Sequence, residues 1–147
     1  MSFLDDYKTS MEGKKVDFNG DKSYQCVDCV KDYAKKWWNP ITTFWNAKDY
    51  AKVNWLGIGW VWIPYKIGMI PPRESIIVWW KPKGFLGWVY YGHIAITGWG
   101  NTKESINTLA QNAETWNGKW EGKDAISVHP ENYTWLLGWH VSKIQLW

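Results

Sequence analysis

No stretch of this chain approaches the ~18 uncharged apolar residues that a membrane-spanning helix needs. The closest run, Trp55 to Tyr65, is shorter and carries glycines and a proline, so no membrane insertion is expected. The opening Met-Ser-Phe-Leu-Asp-Asp lacks a basic segment followed by an apolar one, and residues 1–15 do not read as a signal peptide. Internal repeats, low-complexity tracts and linkers are absent as well. A length of 147 residues therefore reads as one domain, 1–147, large enough to bury a core. Histidine is scarce, and His93, His129 and His140 lack the paired spacing of a zinc site. Tryptophan and lysine do not gather on one amphipathic stretch. That disfavours a membrane-active or nucleic-acid-binding protein, so no nucleic-acid partner is expected.

What is present begins with charge. A charged fraction of 21% and a mean hydropathy of −0.44 fit a soluble globular chain. The net charge of +3 suits an anionic partner mildly, and an ordinary slightly basic surface equally well. Tryptophan is the anomaly, with 15 residues, far above ordinary usage. They fall in turns (Trp99), in pairs (Trp37-Trp38, Trp79-Trp80) and at the end of the chain (Trp147). Some of these flat faces could stack on sugars. No single face or period can hold them all, so most belong to the core or to scattered surface.

Periodicity divides the chain into helices first and strands after, which is α+β order. Residues 2–12 read as a short amphipathic helix with Ser2 as N-cap and Asp5 and Asp6 in the first turn. Tyr24 to about Lys36 is the strongest helix, with Val27, Val30, Tyr33, Ala34 and Trp37 at helical spacing and Asn39-Pro40 as its stop. A second short helix is expected at Asn46–Lys52. Residues 55–75 carry glycines and prolines and read as an irregular connection. Strands are expected at Ser75–Trp80, Val89–Thr97, Ser105–Gln111, Ala125–His129 and Thr134–Ser142.

The stretch Asp17-Phe18-Asn19-Gly20-Asp21-Lys22-Ser23-Tyr24-Gln25-Cys26-Val27-Asp28 holds the densest chemistry. It leads through a glycine turn into a cysteine at a helix N-terminus, where free N–H groups and the helix dipole favour thiolate over thiol. Cys26 thereby becomes a candidate nucleophile. Cys29 makes the pair a C-x-x-C, which leaves a redox centre, a metal site or a plain buried cysteine as rival readings. A thioredoxin-like centre needs a buried strand before the motif, and Asp21-Lys22-Ser23-Tyr24 is not one. Strand alternation sends His93, Ala95 and Thr97 to one face and Ile94 and Ile96 to the other. The apolar pair is expected to face the core, and the small, polar side to meet a cysteine on a packed helix. His93 is then a general base, or otherwise a satisfied strand histidine.

Three blocks, in this order, resemble CHAP domains, the cysteine amidases and peptidases that cut bacterial cell walls. They are Asp-x-Asn-Gly-x-x-x-x-Gln-Cys-x-Asp at 17–28, Tyr91-Gly92-His93-Ile94-Ala95-Ile96, and Ala110-Gln111-Asn112. The wording Asn46-Ala47-Lys48-Asp49-Tyr50 is also similar to that family. The resemblance implies a papain-like α+β fold, with N-terminal helices on an antiparallel sheet. It implies Cys26 as nucleophile, His93 as base, Asn112 as the residue orienting His93, and Gln25 as an oxyanion donor; a helix-start polar residue is the plain alternative for Gln25. The family places a Glu where this chain has Ala110, so the negative charge behind the imidazolium is missing there. Glu114 is the nearest replacement in sequence. In a subset of the family the positions of Asp17, Asn19 and Asp28 bind Ca2+, with backbone carbonyls near Asp21 and Ser23, and the alternative here is an Asx-rich capping turn.

As function, the resemblance implies hydrolysis of an amide in bacterial peptidoglycan, either N-acetylmuramoyl-L-alanine or a stem or cross-bridge peptide. It also implies an endolysin-like monomer made in a host cytoplasm and released to the wall, with no separate wall-binding domain. A catalytically silent wall-binding module of the same fold is the alternative, because of Ala110.

Overall fold

The computed structural model describes residues 2–20, 25–37, 41, 46–51, 59–80, 92–111 and 125–143. Two helices, α1 (Phe3–Met11) and α2 (Cys26–Lys36), precede a short 3₁₀ turn at Ala47–Tyr50. Six strands follow: β1 (Trp60–Pro64), β2 (Ile76–Trp79), β3 (His93–Thr97), β4 (Ile106–Ala110), β5 (Ser127–Glu131) and β6 (Leu136–Ser142). They form one sheet in the order β1-β6-β2-β3-β4-β5, antiparallel at every pairing. The α+β order read from the sequence is what is observed. None of the described helices is long and apolar enough to cross a membrane.

Helix α1 starts where its cap predicts. The Ser2 hydroxyl accepts from the Asp5 N–H at 3.3 Å and the Asp5 carboxylate accepts from the Ser2 N–H at 2.9 Å, a reciprocal box that satisfies two donors the helix leaves orphaned. Arg73 binds both Ser2 and Asp5, and Glu74 accepts from the Leu4 N–H at 3.0 Å, so the cap also docks α1 on the β1–β2 connection. Tyr7 then ties α1 to α2 by donating to Asp32 at 2.8 Å.

Strand β1 corrects the expectation of an irregular 55–75 connection. Trp60 to Pro64 pair with Ser142 to Gly138 of β6 at the sheet edge. The β-rich run Trp60-Val61-Trp62-Ile63 carries the strand signal. Its terminal proline is tolerated because an edge strand need not donate on both sides. Other strand ends shift by a residue or two, which is ordinary, except that β3 begins at His93, and residues 89–91 of the expected Val89–Thr97 strand lie outside the described residues.

The sheet is covered on both faces. On one side Ile76, Val78, Ile94, Ile96 and Leu109 pack with Cys26, Cys29, Val30 and Tyr33 of α2 and with Leu4 and Tyr7 of α1. On the other, Ile77, Trp79, Ala95, Ile106, Ala110, Leu136 and Trp139 form a second core, with Ile63, Tyr65, Met69 and Tyr133 packed against it. Trp60, Trp79 and Trp139 are almost wholly buried, so part of the tryptophan excess is core, as expected. Each such side chain contributes about 1.5–3 kcal/mol of burial.

His140 in β6 is one of these interior groups. It is 1% exposed and its Nε2 donates to the Tyr50 carbonyl at 2.6 Å, while burial pushes its pKa down to about 4. The unfolded ring titrates near 6.5, so between about 6.5 and 4 the unfolded chain binds the proton and the folded chain does not. Stability is then full above 6.5 and is lost as pH falls through that window. Urea unfolding at pH 4.5 should show roughly 2–3 kcal/mol less stability than at pH 7.5 from this residue. In His140→Gln that share of the pH dependence should vanish; an unchanged pH dependence would rule out a neutral, buried ring.

Candidate functional site

The start of α2 is built by three polar residues. Gln25 is extended (φ −81, ψ 165), so the helix begins at Cys26 rather than at Tyr24. Asp28, 2% exposed, accepts from the Gln25 N–H at 2.8 Å and places its charge in the first turn, where the dipole favours an anion. The third residue is Gln111, which the sequence placed between two site candidates without a role. Its side chain is fully buried; Nε2 donates to the carbonyls of Val16 at 2.8 Å and Gln25 at 2.9 Å, and Oε1 accepts from the Val16 N–H at 2.6 Å. The end of β4 is thereby clamped to the segment entering α2.

The two cysteines differ. Both are buried: Cys26, the first residue of α2, is 5% exposed, while Cys29 lies one turn inside, wholly buried with its sulfur 4.0 Å from the Tyr7 hydroxyl. Burial pushes the Cys29 thiol up to about 12, with the Asp32 charge adding to it. Cys29 is thus an inert filler in the core. No disulfide joins the pair.

His93 opens β3, and the glycine before it is required. Gly92 has φ +78, and a Cβ there would lie 2.6 Å from the Trp79 carbonyl oxygen and 2.7 Å from the Lys48 nitrogen. Alternation along β3 holds, but the sides are reversed from the expectation. Ile94 and Ile96 pack with α2, and Ala95 faces the second core, where the His93 ring lies 5.6 Å from the Trp79 ring. The reason is that both faces are interior, so small side chains do not mark the helix side. Because β3 and β4 are antiparallel, the end of β4 that holds Gln25 through Gln111 is also the end at which β3 begins with His93. Cys26 and His93 therefore stand at one end of the sheet.

Behind His93 lies a carboxylate that sequence reasoning missed. Glu131, the last residue of β5, brings Oε1 to 3.9 Å from His93 Nε2 and to 3.4 Å from His129 Nδ1. The His93 and Glu131 side chains are each 7% exposed. Trp79 Nε1 donates to the Asn132 carbonyl at 3.0 Å, which fastens the end of β5 across to β2. The short turn from β5 into β6 makes this contact, because β6 begins opposite Trp79 and Trp79 pairs with His93, and no local motif announces it. Ala110, where a carboxylate was looked for, is 1% exposed and opposite Ser127 in the second core.

Asn112, Asp21, Ser23 and Glu114 lie outside the described residues. Asp17 and Asn19 flank Phe18, whose ring sits 5.9 Å from Lys31 Nζ and 5.6 Å from Lys35 Nζ, so this loop rests along α2, the helix that carries Asp28. Gly20 provides the left-handed turn there with φ +78. Among the described residues no group of three or more His, Cys, Asp or Glu side chains gathers as a metal site. Trp80 and Trp135 form an exposed edge-to-face pair at 5.7 Å, one residue beyond the strand that carries Trp79.

Comparison with known proteins adds the fold. No family model matches the chain, and no curated protein matches it. Among solved structures, the crystal structure of a wild-type endolysin, LysIME-EF1, is similar with a TM-score of 0.75 and 20% identity, covering 97% of this chain. The chain spans 65% of that endolysin's length. It shares an endolysin's fold.

Proposed function

We propose that this protein is a peptidoglycan hydrolase of the papain-like, CHAP type that cuts an amide bond by a Cys–His mechanism. The observation that carries this reading is that Cys26, at a capped helix start, and His93, at a strand start, belong to the same end of a sheet of endolysin-like fold. In this mechanism His93 takes the Cys26 proton and the thiolate attacks the amide carbonyl. The oxyanion that forms is held by the Cys26 N–H and the Gln25 side chain. His93 returns the proton to the leaving amine, and water then hydrolyses the thioester with His93 again as base. The resemblance assigns the orienting of His93 to Asn112, and Glu131 is the rival for that task. The exposed Trp80–Trp135 pair offers flat faces to the sugars of the wall.

Incubation with purified peptidoglycan, followed by mass spectrometry of the fragments, tests the reading and names the bond. New amino termini on stem or cross-bridge peptides identify an endopeptidase, and free lactyl ends on muramic acid identify an amidase. Intact walls in a turbidity assay, with protein retained on them, would instead support the silent binding module that Ala110 keeps as a second reading.

Calcium belongs to the same proposal. Asp17, Asn19 and Asp28, with the carbonyls near Asp21 and Ser23, supply the hard oxygen donors this ion takes, and the loop lies along the helix of Asp28. Several millimolar calcium should raise the melting temperature and chelator should reverse it, because a ligand selective for the folded state stabilises by mass action. Asn19 in place of a carboxylate predicts weak binding. A melting temperature indifferent to both additions would retire the site.

A further inference from the structure

We propose that Glu131 is the residue that positions His93, its carboxylate reaching the ring from β5 in place of the one that Ala110 lacks. The inference rests on the hydrolase reading for its catalytic meaning, but its geometry stands on its own. Oε1 is 3.9 Å from His93 Nε2, both side chains are 7% exposed, and the carboxylate sits in a cage closed by His129 and by the Trp79–Asn132 hydrogen bond. A buried carboxylate is costly unless it meets donors or positive charge. Two imidazoles lie within 4 Å of it and become positive when protonated.

The contact decides which ring nitrogen does the chemistry. In the proposed arrangement Nε2–H is given to Glu131 and Nδ1 takes the thiol proton, and the imidazolium that forms is stabilised by the anion behind it. A distance of 3.9 Å is long for a hydrogen bond, and such contacts tighten when substrate is bound. The route also explains how this chain tolerates Ala110. The space a Glu would need there is filled by the second core, with Ala110 packed among Ala95, Ile106 and Trp79. Other ionisable groups stand on the elements packed on β3: Cys26, Asp28 and Lys31 on α2, Lys48 and Asp49 on the 3₁₀ turn, and Cys29 deeper in the core. Glu131 and His129 are contributed by β5 from the opposite face.

Two experiments test the assignment. In 15N-histidine-labelled wild-type protein, neutral His93 should be the Nε2–H tautomer; the Nδ1–H tautomer would overturn the proposal whether or not the protein hydrolyses walls. Glu131→Gln keeps shape and removes charge, and should lower kcat roughly 10- to 100-fold with KM nearly constant. It should also move the alkaline limb of the rate profile to lower pH, because the imidazolium loses its anion. Glu131→Asp should recover part of the rate and part of the limb. A structural role alone would change the melting temperature and leave the limb in place, which would sink the proposal even if the rate fell. If Glu131→Gln does not fold, the wild-type tautomer decides. Activity abolished by Cys26→Ala but unaltered in Glu131→Gln would reject Glu131 and leave the hydrolase reading intact. Walls left intact by the wild type would reject that reading while the tautomer still judged Glu131.

Discussion

Cys26→Ala should lower the hydrolysis of bacterial walls at least ~10³-fold, while its melting temperature stays within a few degrees of the wild type. The substitution deletes one sulfur at the start of α2 and leaves intact the bonds that build that start, since Asp28 and Gln111 both hold Gln25 through its backbone. Cys29→Ala should do the reverse. That sulfur is wholly buried against Tyr7, and its loss should cost about 1 kcal/mol with activity held within a few-fold. Alkylation separates the two without any assay of walls. With the Cys29 thiol pushed up to about 12, its thiolate fraction at pH 7 is on the order of 10⁻⁵, and only unfolding should expose it. Peptide mapping after brief treatment at pH 7 should therefore find label on Cys26. Equal labelling, or label mainly on Cys29, would remove Cys26 from the nucleophile role.

Gly92→Ala should be strongly destabilising. The new Cβ would lie 2.6 Å from the Trp79 oxygen, 2.7 Å from the Lys48 nitrogen and 2.9 Å from the Lys48 Cβ, and two of these three are backbone atoms that cannot swing away. The left-handed φ of +78 adds its own strain for any residue with a Cβ. Together these should cost about 3 kcal/mol or more, roughly 10 °C of melting temperature for a chain of this size. Activity should fall further than stability, because His93 is the next residue and its strand pairs with Trp79. A variant that melts normally would mean that the 3₁₀ turn does not pack against β3 as described.

Much of this protein was legible in order along the chain. Ser2 and Asp5 announce α1 because a capping box is a local device, complete within four residues. The spacing of Val27, Val30, Tyr33 and Ala34 announces α2, and all four side chains are buried as that spacing requires. Both readings depend on hydrogen bonds and faces that neighbouring residues decide among themselves. Strand β1 was the local failure, since its terminal proline and flanking glycines outweighed four good strand formers.

The site divides along the same physical line. Local sequence sufficed to put Cys26 at a helix start, His93 on a strand behind a glycine, and oxygen donors around a turn, because each is a matter of consecutive backbone geometry. Tertiary structure alone decided which face of β3 meets α2, since a sheet covered on both sides gives its small residues no side to prefer. It also decided the work of Gln111, whose partners Val16 and Gln25 come from the far end of the chain. Above all it brought Glu131 to His93. Spacing rules see along a strand and across a pairing, whereas this carboxylate reaches His93 because β5 turns into β6 beside Trp79, the residue that pairs with His93, and so joins strands that are not neighbours in the sheet.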